Sequence, residues 1–96
     1  MAEKNYAFSW LGNAADKEKL RAGLEGLTGN DYEAAERAER NNGNNAPLLT
    51  LTASFQARLA AAALGVPAPE IKDLPIKKYN ALTQEVLTFL YVQSEE

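Results

Sequence analysis

The chain has 96 residues, of which 46% are hydrophobic and 24% charged, and its formal net charge is −3. This balance is typical of one small folded domain spanning residues 1–96, and it excludes a disordered chain or a core with a separate substrate domain. The absence of cysteine and histidine excludes disulfides, thiolate nucleophiles, cysteine metal clusters and the commonest metal ligand.

Charge and hydropathy narrow the function classes further. The ten basic residues are scattered in an acidic chain, which argues against nucleic-acid binding, because that binding depends on clustered Lys and Arg. No stretch approaches the roughly 20 apolar residues of a membrane-spanning helix, and the first residues lack the pattern of a signal peptide. We therefore expect an intracellular protein without a membrane partner.

The chain opens with an alternating pattern followed by a helical one. Tyr6, Phe8 and Trp10 alternate with smaller residues, which predicts a short amino-terminal strand over residues 5–11. Asn13 is then placed to cap a helix. The apolar stripe of that helix is Leu20, Leu24 and Leu27.

Residues 28–31 predict a helix stop followed by a new start, with Thr28 or an Asx residue as the cap. The second helix is expected over residues 32–40, where two acid-first pairs at i,i+4 support it: Glu33–Arg37 and Glu36–Arg40. A polar loop follows over residues 41–45. Its spacing does not fit a calcium loop, because acids would be needed where Ala38 and Arg40 stand.

The central helix is predicted over residues 48–64, where the apolar positions recur at threes and fours: Leu48, Leu51, Phe55, Leu59 and Ala62. The alanine run over residues 60–63 favours close approach of a neighbouring helix. Gly65 is placed as a helix stop, and Pro67 and Pro69 bar continuation.

A last helix is expected from Pro75 to about residue 92. Its apolar residues are Ile76, Tyr79, Leu82, Val86, Leu87, Phe89 and Leu90. This arc is wider than a surface helix needs, so the helix is either central in the fold or shared with another molecule, self-association included. The predicted fold is mainly α, a compact bundle of about four helices with a possible short N-terminal strand.

The sequence contains no motif typical of a catalytic or cofactor-binding site. Gly23, Gly26 and Gly29 have the spacing of a phosphate loop, but no Lys-Ser or Lys-Thr follows. The carboxylates are expected on polar helix faces, where nothing shifts their pKa toward catalysis. Ser54 has no histidine base and is predicted to be a helix-face or capping serine. We expect a non-enzyme with no catalytic residue, no cofactor and no metal.

Three stretches resemble a known family. The first is a leucine, small turn and Asp that open onto a helix with an acid-basic pair: residues 27–31 with Glu36 and Arg37. The second is an alanine-rich helix that ends in Leu64-Gly65, over residues 54–67. The third is a Leu74-Pro75 that leads into a helix with Phe89 and Leu90. Together these are similar to the tail assembly chaperones of long-tailed phages and prophages.

The resemblance implies a scaffold with no chemistry of its own. Family members are encoded just ahead of the tape measure gene, bind the tape measure protein, help recruit tail tube protein and leave before the virion is finished. Many are made in a short and a frameshifted long form, and this chain resembles the short one. It implies a location in the host cytoplasm and absence from the mature virion.

A tape measure protein presents long apolar helices, which a helix-in-groove partner would cover. The side chains Tyr79, Leu82, Val86 and Phe89 are expected to be core. The predicted partner-binding residues are the remaining apolar ones near the end of the last helix: Leu87, Leu90, Tyr91 and Val92.

Two other function classes stay open. A structural virion component, such as a head-tail connector or a tail terminator, would persist in the particle and form a closed ring. An acidic regulator that mimics nucleic acid would bind a host protein, but mimicry needs carboxylates clustered on one face. Acids and bases instead interleave over residues 16–40.

Overall fold

Short polar side chains determine where the first helix begins, as the sequence predicts. The structure, a computed structural model, describes residues 10–91. Asn13 accepts a hydrogen bond from the backbone N–H of Asp16 at 2.9 Å and caps α1, Ala14–Glu25. The predicted stripe residues Leu20 and Leu24 are buried, whereas Leu27 lies beyond the end of the helix.

The second helix, α2, spans Gly29–Asn41 and starts three residues before the predicted position 32. Thr28 caps it through a reciprocal capping box with Asp31. The caps Asn13 and Thr28 each bond to a residue three positions away, so the sequence can predict them. The two acid-first pairs expected on this helix do not form ion pairs in the described part of the chain.

The third helix, α3, spans Ala53–Leu64 and is capped by Thr52, so the predicted start at residue 48 is wrong. A separate 3₁₀ turn over Leu49–Leu51 precedes it. Residues three apart lie on the same side of such a turn, and this side faces solvent. Leu48 and Leu51 are therefore 63% and 55% exposed, while Leu49 is buried.

The predicted stop of α3 is confirmed. Gly65 has φ 73°, a left-handed conformation that favours glycine, and the N–H of Val66 donates to the carbonyl of Ala61 at 3.0 Å. The helix does not continue through Pro67 and Pro69, as predicted, but the chain soon turns helical again. It forms a five-residue helix, α4, Ala68–Lys72, because proline is tolerated in a first turn.

The last helix, α5, spans Ile76–Tyr91. Leu82 and Val86 are buried as predicted, but Ile76 is 81% exposed, so its assignment to the apolar stripe is wrong. Ile76 lies in the first turn, where the side chain points away from the core. Within residues 10–91, none of the helices is long and apolar enough to cross a bilayer.

The described part of the chain has five helices, and α3 contacts each of the other four. This confirms a mainly α bundle. No strand occurs within residues 10–91, and residues 5–9 of the predicted strand lie outside the described residues. Trp10, at the start of the described chain, is 2% exposed and belongs to the core.

Helix α1 approaches α3 closely at Gly23. A Cβ built on Gly23 would overlap the backbone carbonyl of Ala63, so only glycine fits at this contact. Ala60 and Ala61 are buried beside it. The alanine-rich end of α3 therefore takes part in close helix packing, as its composition predicts.

Candidate functional site

An open apolar groove lies where α1 ends, α2 begins and α5 ends. Its volume is about 270 Å³. We call it the apolar groove, and its lining residues are Leu24, Leu27, Thr28, Gly29, Tyr32, Leu59, Phe89 and Leu90. The lining comes from four helices and the short connection between α1 and α2.

Local structure leaves this groove open. Because α1 stops at Glu25, Leu27 lies in the connection and is only half-buried. Gly29 contributes no side chain, and an ideal Cβ at this position would meet no atom within 4 Å. The half-buried side chains of Tyr32, Phe89 and Leu90 pack against the core and leave part of their surface in the groove.

The wall of the groove is held in place by Tyr32. Its ring meets the buried ring of Phe55 edge to face, with centroids 5.1 Å apart and an interplanar angle of 73°. Its hydroxyl shares a hydrogen bond of 2.6 Å with the hydroxyl of Thr50. A partner would therefore meet a preformed surface, which lowers the entropy cost of binding.

The predicted partner-binding residues occupy different places. Leu90 lines the apolar groove, and Tyr91, the next residue, is 58% exposed. Leu87 is half-buried but is not part of the groove lining. Val92 lies outside the described residues. The groove residues on α1 and α2 were missed, because only the tertiary fold brings them to the end of α5.

A second feature is a cluster of polar groups around Glu39 near the end of α2. We call it the Glu39 cluster, and it contains Glu39, Asn44, Ser54, Arg58 and Lys72. The Glu39 carboxylate accepts hydrogen bonds from Arg58 Nε at 2.7 Å, Asn44 Nδ2 at 2.8 Å and Ser54 Oγ at 3.1 Å. Lys72 Nζ in turn donates to Ser54 Oγ at 2.8 Å.

This cluster contradicts the prediction that the acids lie on polar helix faces. Glu39 is 2% exposed. Burial by itself raises the pKa of its carboxyl, but the hydrogen bonds from Asn44, Arg58 and Ser54, together with the Arg58 charge, outweigh burial and lower the pKa. The charge of Glu39 adds to burial in raising the pKa of the Tyr79 hydroxyl.

A sequence signal for Glu39 was present. Tyr32, Ala35 and Glu39 follow one another at three and four residues, so Glu39 continues the inward-facing stripe of α2. Its partners could not be found this way, because Ser54 and Arg58 lie on another helix.

The Glu39 cluster has the arrangement of a structural network. Ser54 donates its proton toward Glu39 and accepts from Lys72. The Glu39 carboxylate also accepts from Arg58 and Asn44 and its pKa is lowered, which makes it a weak base toward the hydroxyl. The contacts join α2, α3 and α4 and satisfy the buried carboxylate. Within residues 10–91, no group of three or more acidic side chains is arranged to hold a metal ion.

Comparison of the chain with protein-family models, with curated proteins and with solved structures finds no match to any of the three.

Proposed function

We propose that this chain is a non-enzymatic tail assembly chaperone that binds the tape measure protein and helps recruit tail tube protein. The observation that carries the proposal is the apolar groove, whose Phe89 and Leu90 belong to the stretch that resembles the chaperone family. The residue that follows Leu90 in sequence, Tyr91, is exposed. A surface of this kind fits a scaffold that covers apolar segments.

The size of the groove favours a protein partner over a small molecule. Pockets for drug-sized ligands usually have about 300–1,000 Å³ and enclose most of the ligand. The apolar groove has about 270 Å³ and is open to solvent, which suits a few apolar side chains of a helix. An amphipathic helix presents such side chains at i, i+3, i+4 and i+7.

The charge of the chain supports the same function. A net charge of −3 helps keep a complex with an apolar partner dispersed. The chaperone would act in the host cytoplasm and leave before the virion is complete.

Co-expression with the tape measure protein of the same phage tests the proposal. The parent chain should keep that protein in the soluble fraction and co-purify with it. Gly29→Phe should weaken capture, because its ring would project from the groove wall where the parent leaves space. Tyr91→Asp should weaken capture by placing a charge at an apolar contact. Gly29→Ala is the matched control and should bind like the parent.

Gly29→Phe and Tyr91→Asp should leave the protein folded, with circular dichroism melts close to that of the parent, since residues 29 and 91 are both exposed. If Gly29→Phe and Tyr91→Asp still hold the tape measure protein as the parent does, the binding surface lies elsewhere. If the parent never co-purifies with it but is recovered in finished particles, the chain is a structural virion component.

A further inference from the structure

The charged residues that lie nearest in sequence to the groove residues are mostly acidic, and we call this set the rim. Residues 24–37 supply most of the α1 and α2 side of the groove. Four of their five charged residues are acidic, Glu25, Asp31, Glu33 and Glu36, and the fifth is Arg37. The groove residues at the end of α5, Phe89 and Leu90, have no charged residue between positions 86 and 91. The rim is therefore net negative along one side and neutral along the other.

Two of these acids lie one helical turn from groove residues. Glu33 follows Gly29 by four positions on α2, and Glu36 follows Tyr32 by four, so each pair shares a helix face. Glu33 is exposed and Glu36 is half-buried. Neither forms an ion pair in the described part of the chain, so both carboxylates can face a partner.

The nearest basic residues of α1 belong to another surface, and those of α2, Arg37 and Arg40, lie one turn beyond Glu33 and Glu36. Lys17 pairs with Glu85 at 3.7 Å, and both line a polar depression between α1 and α5 together with Arg21. The partial positive charge at the start of α2 is already met by Asp31, which accepts from the N–H of Thr28 in the capping box. Because Arg37 and Arg40 lie farther along α2 from Gly29 and Tyr32 than Glu33 and Glu36 do, the charge next to the groove is net negative.

We propose that the apolar groove selects an amphipathic helix whose apolar stripe is flanked by Lys or Arg. This inference rests on the proposed function, since it concerns the same groove, and it names the chemistry of the segment that is captured. The groove binds the apolar stripe, and the rim attracts the flanking cations. A helix flanked by acids is repelled, which gives selectivity among apolar helices.

The test uses the full chain and three synthetic helical peptides of roughly 18 residues, about five turns. All three carry the same leucine stripe, and the flanking positions are Lys, Gln or Glu. Affinity is measured by calorimetry. The Lys peptide should bind roughly tenfold more tightly than the Gln peptide, as the sum of several weak exposed charge pairs, and the Glu peptide should bind most weakly.

A double variant assigns the effect to the rim. In Glu33→Gln/Glu36→Gln the preference for Lys over Gln should shrink severalfold, while affinity for the Gln peptide should not change. Glu18→Gln, on the polar depression, is the control and should keep most of the preference. Raising salt from about 0.1 M to about 1 M should reduce the preference as well, because the screening length falls from about 10 Å to about 3 Å.

The outcomes separate the two proposals. Equal binding of all three peptides would overturn the charge selectivity and leave the apolar groove as a binding site. Binding that is lost in Gly29→Phe but insensitive to peptide charge would have the same meaning. If the tape measure protein is captured in cells but no peptide binds and Gly29→Phe has no effect, both the groove and its selectivity are wrong.

Discussion

The two ends of α2 differ in how completely they are covered. At its end, Glu39 is buried and both of its carboxylate oxygens have partners. At its start, Tyr32 and its neighbours leave apolar surface open in the groove. Both ends of α2 contact α3, the start through Tyr32 and Phe55 and the end through Glu39 and Arg58. Under the proposed function, the covered end of α2 serves stability and the open end binds the partner.

Burial of charge and exposure of apolar surface are both costly, and both occur at the ends of α2. The cost at Glu39 is offset by hydrogen bonds and by Arg58. Nothing in the chain's described part offsets the open surface of Leu27, Phe89 and Leu90. A partner would offset it by covering that surface, which is the physical basis of the proposed function.

The largest expected effect on stability comes from truncating the core side chains of α3, on which both ends of α2 pack. Phe55 is fully buried in α3 and supports Tyr32. Phe55→Ala should lower the free energy of unfolding by about 3–5 kcal/mol, against a total of about 5–15 kcal/mol for a typical domain. Leu59→Ala should cost about 2–5 kcal/mol for the same reason. Circular dichroism melts measure both, and an unchanged melt in either variant would show that α3 is not the centre of the core.

A smaller effect on stability is expected from a change at Glu39, at the covered end of α2. Glu39→Gln keeps the shape of the side chain but removes its charge, leaving Arg58 without an ionic partner. The free energy of unfolding should fall by about 1–3 kcal/mol. Glu33→Gln is the matched control and should change it by less than about 0.5 kcal/mol, because the side chain is on the surface. Urea titration distinguishes the two, and equal midpoints would argue that the Glu39 cluster is not stabilising.

The pH dependence of stability sharpens this assignment. The pKa of Glu39 is lowered in the folded state from its ordinary value of 4.5. Its contribution is therefore present above pH 4.5 and is lost as the pH falls through the lower folded pKa. Urea midpoints measured at neutral pH and at acidic pH should differ less in Glu39→Gln than in the parent. The same difference in both proteins would mean that other carboxylates cause the acid sensitivity.

Effects of opposite sign are expected at two glycines, one near the end of α1 and one at the start of α2. Gly23→Ala should destabilise the fold by about 1–3 kcal/mol, because the added Cβ overlaps the backbone of Ala63. Gly29→Ala meets no atom and should stabilise it by about 0.4–1 kcal/mol through a stiffer unfolded chain. Thermal melts give both signs. Equal changes would mean that α1 does not approach α3 as closely as described.

Local features of the sequence determined the helix ends that were predicted correctly. Asn13 and Thr28 cap helices through atoms only a few residues away, and Gly65 ends α3 through its own backbone conformation. Such contacts do not depend on the rest of the fold, so sequence reasoning can find them. The same holds for the buried stripe positions Leu24 and Val86, since helical spacing places them on one face.

Only the tertiary structure decided which apolar residues are covered and which acid is buried. Helical spacing gave Ile76 and Leu90 the same rank on α5, yet Ile76 points into solvent and Leu90 lines the groove, because α5 contacts other helices only along part of its length. Glu39 finds Arg58 and Ser54 only when α2 packs on α3. Contacts between helices depend on how the elements are arranged in space, and the spacing of residues along one helix does not encode that arrangement.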